Sequence, residues 1–184
     1  NEYSSIVFGI ETAIQDLKHN GDRVIFPSEW IRGFNDIKIN GLIWMGTFEQ
    51  MFNRINDKLH AGFHCVKLKI GGIDFEKEIE LIKYIRSKFA PDILELRLDA
   101  NGAFSPDNAL IKLDQLSKHS IHSIEQPIKS GQWEAMSKLC QNSPIPIALD
   151  EELIGVSGLR QKDSLLKEIN PQYIILKPAL CGGF

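Results

Sequence analysis

The chain has 184 residues, of which 43% are hydrophobic and 24% charged, and its net charge is −3. This balance excludes an intrinsically disordered chain, which needs low hydrophobicity or high net charge, and it leaves no general basic surface for nucleic acid. No apolar run approaches the ~20 residues that a membrane-spanning helix needs, so neither nucleic acid nor a membrane is an expected partner.

Six short apolar runs, most of them rich in Ile, Leu and Val, are closely followed by turn residues and predict buried β-strands. In chain order they are Gly41–Met45, His64–Ile70, Leu94–Leu98, Ile121–Ile124, Ile145–Leu149 and Tyr173–Leu176.

Amphipathic helical patterns lie between these runs. The first opens at Thr47-Phe-Glu-Gln50, which fits a capping box, and Gly62 suits its end. The others are a stripe over Phe75–Phe89, a helix opened by Ser105-Pro106, a shorter one over Trp133–Cys140 and one over Leu159–Ile169. Their apolar stripes are interpreted as faces turned towards the core.

Repetition of strand and helix predicts parallel strands with right-handed crossovers. An ionisable residue lies near the end of five strands, at steps of 30, 26, 25 and 27 residues: Lys69, Asp99, Glu125, Asp150 and Lys177. A doubly wound open sheet would show the same alternation. A charged residue at the same end of every strand favours a (β/α)8 TIM-type barrel, because only a barrel points all strand ends at one centre. Since 184 residues is short of the usual ~250, we expect an incomplete barrel of about six strands.

Three of the strand-end residues, Asp99, Glu125 and Asp150, are carboxylates that a barrel would bring together. Their repulsion would leave one of them protonated unless a cation neutralised them. An all-oxygen set favours Mg²⁺, with Mn²⁺ possible and zinc disfavoured. The histidines lack metal-ligand spacing and are interpreted as surface or packing residues: His19, His60, His64, His119 and His122.

Lysines flank the carboxylates in chain order, with Lys67 and Lys69 before them and Lys177 after them. Lys67 and Lys69 project to the same side of their strand because they are two residues apart. A lysine beside a metal dication and another ammonium should have a lowered pKa, which suits a general base near neutral pH. The layout therefore favours removal of a proton next to a carboxylate. The alternative is that each charged residue is simply solvated at the start of a loop.

At these residues the sequence resembles the enolase superfamily, in its muconate-lactonizing-like branch. The matching motifs are Lys67-Leu-Lys69, Arg97-Leu-Asp99-Ala-Asn101, Glu125-Gln-Pro127, Asp150-Glu151 and Lys177-Pro178. Within the superfamily, four longer stretches are similar to the o-succinylbenzoate synthase family: Asn40–Gly46, His122–Pro127, Ala148–Gly155 and Tyr173–Pro178.

The resemblance implies a metal-dependent lyase of menaquinone biosynthesis. In this family a cyclohexadiene carboxylate that bears a succinyl group and a hydroxyl loses water by syn elimination, through an enediolate, and becomes aromatic. The resemblance implies that Lys69 removes the proton alpha to the carboxylate and then protonates the departing hydroxyl. It also implies that Lys177 stabilises the anion from the other side of the ring.

The remaining roles also come from the resemblance. It implies that Mg²⁺ is held by Asp99, Glu125 and Asp150, and that Lys67 positions the substrate carboxylate and tunes Lys69. Arg97, Asn101 and Glu151 would support the ligands from behind. Gly182 would let the backbone approach substrate, although an ordinary tight loop explains it equally well.

Family members carry an additional capping domain, mostly N-terminal, and a seventh and an eighth barrel strand. Here a family-like helix at Ser4–Lys18 precedes the first strand, and Phe184 follows soon after the sixth. We therefore expect residues 1–39 to be a helix and connecting segment, and residues 40–184 a partial barrel from a longer protein. An open barrel would expose two strand edges, so activity of this chain alone is doubtful.

Three cysteines, Cys65, Cys140 and Cys181, are far apart and form no CxxC pair. We interpret them as reduced thiols in a cytoplasmic protein. Two other functions stay open. One is a racemase of N-acylamino acids or an epimerase of dipeptides within the same superfamily, and the other is an inert structural fragment. The sequence does not indicate an oligomeric state.

Overall fold

The computed structural model describes residues 3–156 and 158–183. Its strands are β1 (Gly41–Ile43), β2 (Cys65–Lys69), β3 (Glu95–Asp99), β4 (Ser123–Glu125), β5 (Ile147–Leu149) and β6 (Tyr173–Ile174). Its α-helices are α1 (Ser4–Lys18), α2 (Phe48–His60), α3 (Phe75–Lys88), α4 (Pro106–Ser117), α5 (Trp133–Asn142), α6 (Leu159–Ile169) and α7 (Pro178–Cys181), and a 3-10 turn covers Glu151–Leu153. Every predicted strand and helix is present, and α7 was not predicted.

The six strands form one parallel sheet in the order β1-β2-β3-β4-β5-β6. A doubly wound sheet reverses its strand order at a switch point, whereas each strand here pairs with the next one along the chain. This steady progression is the arrangement of a TIM-type barrel, and it decides between the two α/β folds that the sequence left open.

By its internal packing the chain divides into two compact units. The core unit comprises Ile39–Glu152 and Ser164–Ile175, and it holds all six strands. The terminal unit comprises Asn1–Lys38, Leu153–Asp163 and Leu176–Phe184, and in it α1 packs against α7.

Local sequence explains where the core helices begin and end. At the start of α2 the Gln50 N–H donates to the Thr47 hydroxyl at 3.3 Å, and the Thr47 N–H donates to the Gln50 carboxamide at 3.0 Å. This is the predicted capping box. Gly62 follows the helix with a φ of +77°, a conformation that costs glycine little.

Alternation along the central strands separates core from site. Val66, Leu68, Leu96 and Leu98 are at most 1% exposed and belong to the hydrophobic core. The intervening residues of β2 and β3 are charged or polar and lie on the other face of the sheet. The alternation along β2 and β3 thus places the lysines and carboxylates on the face of the sheet opposite the hydrophobic core.

The prediction of a buried strand is wrong for β6. Tyr173 and Ile174 are 45% and 40% exposed, because β6 lies at an end of the described sheet order and pairs with β5 on one side. The Tyr173 ring still stacks on the His122 ring, with centroids 5.2 Å apart.

The three cysteines are free thiols, as predicted. Cys140 and Cys181 are buried, Cys65 is half-buried, and burial raises the pKa of Cys65 and of Cys140 to about 11. All five histidines are half-buried or exposed, in line with surface or packing roles. Among the described residues, no helix combines the length and apolarity needed to span a membrane.

Candidate active site

Lysines and carboxylates meet where β2, β3 and β4 end. Strand register places Lys69 opposite Asp99 and Asp99 opposite Glu125. The Lys67 ammonium donates to Glu125 Oε2 at 2.6 Å and lies 2.9 Å from Asp99 Oδ2. The Lys69 ammonium donates to the same Asp99 oxygen at 2.9 Å. One carboxylate oxygen therefore holds two ammonium groups together, and Lys67 bridges two strand ends.

The two carboxylates have shifted pKa values of opposite sign. Burial raises the pKa of Asp99, but hydrogen bonds from Lys69 and Lys67 outweigh burial, and the net shift is downward. Burial is also the main cause that raises the pKa of Glu125, to about 7, and the Asp99 charge and a hydrogen bond with the Asp150 side chain add to it. Asp99 is therefore held as the anion, whereas Glu125 binds a proton more readily.

The surroundings of the Lys67 ammonium raise its pKa. Burial lowers the pKa of Lys67, but its hydrogen bonds to Glu125 and Asp99 outweigh burial and raise it. The two anions stabilise the ammonium. Lys67 is consequently held as an ammonium between these two carboxylates.

The cluster extends through Asn101 to the turn after β5. The Lys69 ammonium donates to Asn101 Oδ1 at 2.5 Å, and the Asn101 amide donates to Glu151 Oε1 at 3.0 Å. The Asn101 backbone N–H returns to Asp99 Oδ1 at 3.1 Å. The structure therefore brings together seven of the predicted residues: Lys67, Lys69, Asp99, Asn101, Glu125, Asp150 and Glu151.

Gln126 and Glu152 form a buried brace that the sequence analysis did not assign. The Gln126 amide donates to the Ile128 carbonyl at 2.9 Å and to Glu152 at 3.4 Å, and its side-chain oxygen accepts from the Asp150 N–H at 3.3 Å. Glu152 also accepts from the Gly131 N–H at 3.0 Å. Gln126 adopts a φ of +42°, which is costly for a residue with a side chain. Gln126 is part of the Glu125-Gln-Pro127 motif, but only the fold shows that it links the backbone next to Glu125 to the backbone of Asp150.

Glu78 braces the loop after β2 in a similar way. Its carboxylate is 1% exposed and accepts from the backbone N–H groups of Gly71, Gly72 and Ile73 at 2.5, 3.2 and 3.4 Å. Even so, burial outweighs these hydrogen bonds and raises the pKa of Glu78. Glu78 is one of two acidic residues in the first turn of α3, with Glu76, and nothing in the sequence singles it out for this role.

Three predicted site residues are not among the seven that form this cluster. Arg97 pairs with Glu95 at 2.5 Å, two residues before Asp99. Lys177 lies in the terminal unit, directly before α7, and it is exposed. Gly182 ends α7 with a φ of +90°, so a tight helix end explains it. The roles of these residues towards substrate stay predictions.

The donor set fits a hard divalent cation. Asp99, Glu125 and Asp150 are 1%, 5% and 1% exposed. Asp99 and Glu125 end β3 and β4, and Asp150 directly follows β5. Buried carboxylates at such density need positive charge nearby. Over residues 3–156 and 158–183, no three His, Cys, Asp or Glu side chains are already gathered as a metal site, and the Lys67 ammonium lies between Asp99 and Glu125. Oxygen ligands of this kind suit Mg²⁺.

A family model described as "Enolase C-terminal domain-like" matches residues 50–184. The chain belongs to this family. It is 52% identical over 182 residues to an o-succinylbenzoate synthase of Desulfotalea psychrophila, a match that covers 99% of this chain and 49% of that protein. The crystal structure of MenC from the same organism superimposes with a TM-score of 0.87 at 51% identity, over 98% of this chain and 50% of that one.

Epimerases of the superfamily match less closely. A hydrophobic dipeptide epimerase of Enterococcus faecalis is 29% identical over 176 residues, which cover 95% of this chain and 48% of that protein. The chain therefore spans about half the length of the curated relatives it matches. The predicted enolase-superfamily resemblance and the sequential parallel α/β fold are confirmed.

Proposed function

We propose that the protein is an o-succinylbenzoate synthase, a metal-dependent lyase that removes water from a succinyl-hydroxycyclohexadiene carboxylate. The observation that supports this most is the Lys69 ammonium, which is held 2.9 Å from Asp99 and 2.5 Å from Asn101 at the edge of a buried carboxylate cluster. The 52% identity to an o-succinylbenzoate synthase supports the proposed substrate class.

Lys69 acts as both base and acid in this proposal. In its neutral form it takes the proton from the ring carbon next to the substrate carboxylate. The electron pair left behind is first delocalised onto the substrate carboxylate as an enediolate, and it then forms the new ring double bond when the carbon–oxygen bond to the hydroxyl breaks. Lys69 then returns the proton to the departing oxygen, so one water leaves and the ring becomes aromatic. A single lysine suffices because the proton and hydroxyl leave from the same face.

Asp99, Glu125 and Asp150 would hold Mg²⁺, with Mn²⁺ as the alternative. When bound, the cation would stabilise the negative charge that the substrate carboxylate gains as the proton leaves. Asn101 orients Lys69 and links it to Glu151, and Gln126 holds the Asp150 backbone. These contacts keep the acid–base group and the ligands in a fixed arrangement.

Lys67 would attract the substrate carboxylate, because its raised pKa keeps it charged. We assign Lys177 to stabilising the anionic ring from the opposite face, Gly182 to contact with substrate, and Arg97 to support of the β3 strand end. The residues 1–39 and 40–184 remain our proposed division into a leading segment and a partial barrel. Small-molecule turnover in menaquinone biosynthesis, in the cytoplasm, fits this assignment.

Dehydration by the intact protein tests the proposal. With Mg²⁺ present, the wild type should convert the cyclohexadiene carboxylate to o-succinylbenzoate, and chelation should abolish turnover. Lys69→Met should lower kcat by about 10²- to 10⁴-fold, the usual contribution of general acid–base catalysis. Because Lys67 neutralises Asp99 and Glu125, Lys67→Met should bind Mg²⁺ more tightly by calorimetry while KM rises.

The assay also separates the alternatives. Failure of the wild type to dehydrate the substrate, or full activity of Lys69→Met, would contradict the assignment. Deuterium exchange at the alpha carbon of an N-acylamino acid or a dipeptide, without dehydration, would instead support the racemase or epimerase activity. Absence of both activities and of Mg²⁺ binding would leave a structural role.

A further inference from the structure

Trp44 lies beside the proposed base and has no role in the mechanism so far. It directly follows β1, and since Ile43 pairs with Leu68, the next residue along each strand is Trp44 on one and Lys69 on the other. The Lys69 ammonium lies over the indole, 4.9 Å from the ring centroid. Lys69 is 8% exposed, whereas Trp44 is 55% exposed. An exposed aromatic surface thus adjoins a nearly buried catalytic ammonium.

The backbone that carries this indole is held firmly. Arg54 of α2 donates from one nitrogen to the carbonyls of Trp44, at 3.0 Å, and of Met45, at 2.6 Å. Gly46 makes room for this clamp, because a Cβ there would lie 2.8 Å from the same Arg54 nitrogen and 2.7 Å from the Gln50 side chain. An anchored loop that presents an exposed indole is typical of a binding surface, since binding sites need groups held in place.

The rest of the cluster is polar. Lysine, carboxylate and amide groups can recognise a carboxylate and its metal, but they offer nothing to an apolar ring. Small-molecule sites are usually lined by apolar and aromatic groups, with a few polar groups that set the orientation. The substrate of the proposed reaction has both parts, a carboxylate and an unsaturated six-membered ring, and Trp44 supplies the surface that matches the ring.

We propose that Trp44 is a specificity residue whose exposed indole contacts the substrate's unsaturated ring and places the carbon next to the carboxylate beside Lys69. This inference rests on the proposed dehydratase function. The indole can bury one face of the unsaturated ring, and contact between aromatic rings adds to this once the ring has become aromatic. An acyclic amino acid derivative offers no such ring. Trp44 would therefore favour cyclic substrates over N-acylamino acids.

Steady-state kinetics of the intact enzyme test this with Trp44→Phe, Trp44→Leu and Trp44→Ala. Trp44→Ala should lower kcat/KM for the cyclohexadiene substrate about tenfold, mainly through KM, and should weaken binding of the product o-succinylbenzoate by a similar factor. Trp44→Phe should recover most of both, Trp44→Leu should recover little, and Mg²⁺ affinity should not change in any variant.

Phe63→Leu is the matched control. Phe63 also lies under a lysine, Lys58, at 5.5 Å, but it precedes β2 and so lies at the opposite end of the strand from Lys69. The Phe63→Leu variant should have unchanged KM and unchanged product binding. If Trp44→Ala bound product and turned over substrate as well as the wild type, the inference would be overturned and the dehydratase function would stand. The same holds if Trp44→Phe were as impaired as Trp44→Ala. A wild type that does not dehydrate the substrate would overturn the proposed function itself.

Discussion

The core unit contains two kinds of buried carboxylate at the same edge of its sheet. Asp99 and Glu125 face ammonium groups of β2, whereas Glu78 and Glu152 face backbone N–H groups of adjacent loops. Each is at most 5% exposed, so each is costly to bury. The first pair is neutralised by lysine ammonium groups, which another cation can replace. The second pair accepts hydrogen bonds from backbone N–H groups, which stay in place. The first arrangement suits chemistry, and the second keeps loops in place.

The largest expected difference between the two kinds of carboxylate is in enzyme activity after substitution. Glu125→Gln removes a proposed metal ligand and should lower kcat/KM by at least about 100-fold, beyond the loss typical of groups behind the ligands. Steady-state kinetics and Mg²⁺ calorimetry of the intact enzyme measure it. Glu78→Gln is the matched control, since it makes the same change at an equally buried site and should leave turnover unchanged. Equal losses in the two variants would remove the distinction.

Stability should show the reverse order with a smaller effect. Glu78→Leu leaves the N–H groups of Gly71, Gly72 and Ile73 without their acceptor, and should lower the free energy of unfolding by about 1–3 kcal/mol. Urea denaturation of the intact protein measures this. Glu125→Gln should cost less or even stabilise, because it removes a carboxylate that repels Asp99. A Glu78→Leu protein as stable as the wild type would show that the brace contributes nothing.

The smallest expected effect is the pH dependence of the Glu78 contribution. Burial raises the folded-state pKa of Glu78 above its ordinary value of 4.5. The protonated form is thereby favoured in the folded protein, so this contribution is complete below pH 4.5 and is lost as pH rises through the raised value. Glu78→Gln cannot titrate at this position.

The measurement is the difference in unfolding free energy between wild type and Glu78→Gln at several pH values. The wild type should lose stability relative to the variant as pH rises above about 4.5. A difference that is independent of pH, or that changes with the opposite sign, would mean that the three backbone hydrogen bonds dominate over burial. In that case Glu78 would resemble Asp99, whose pKa is lowered by its partners.

Much of this architecture could be read from the chain because it depends on local pattern. The capping box at Thr47 needs only residues within one helical turn, and the apolar runs need only their own composition. Strand ends also have a local signal, since Lys69, Asp99 and Glu125 each come directly at the end of an apolar run. Residues that share these positions on successive parallel strands are neighbours as soon as the strands pair in order.

The sequence by itself therefore determined which runs form parallel strands and which charged residues lie at their ends, whereas the strand order came from the tertiary structure. Only the tertiary structure decided which group each buried carboxylate faces, because partners such as Lys67 and Glu125 are 58 residues apart. It also decided that Lys67 has a raised pKa, that Gln126 braces Asp150, and that Trp44 lies over the proposed base. Hydrogen bonds and burial of this kind depend on distances between distant segments, and no local pattern encodes those distances.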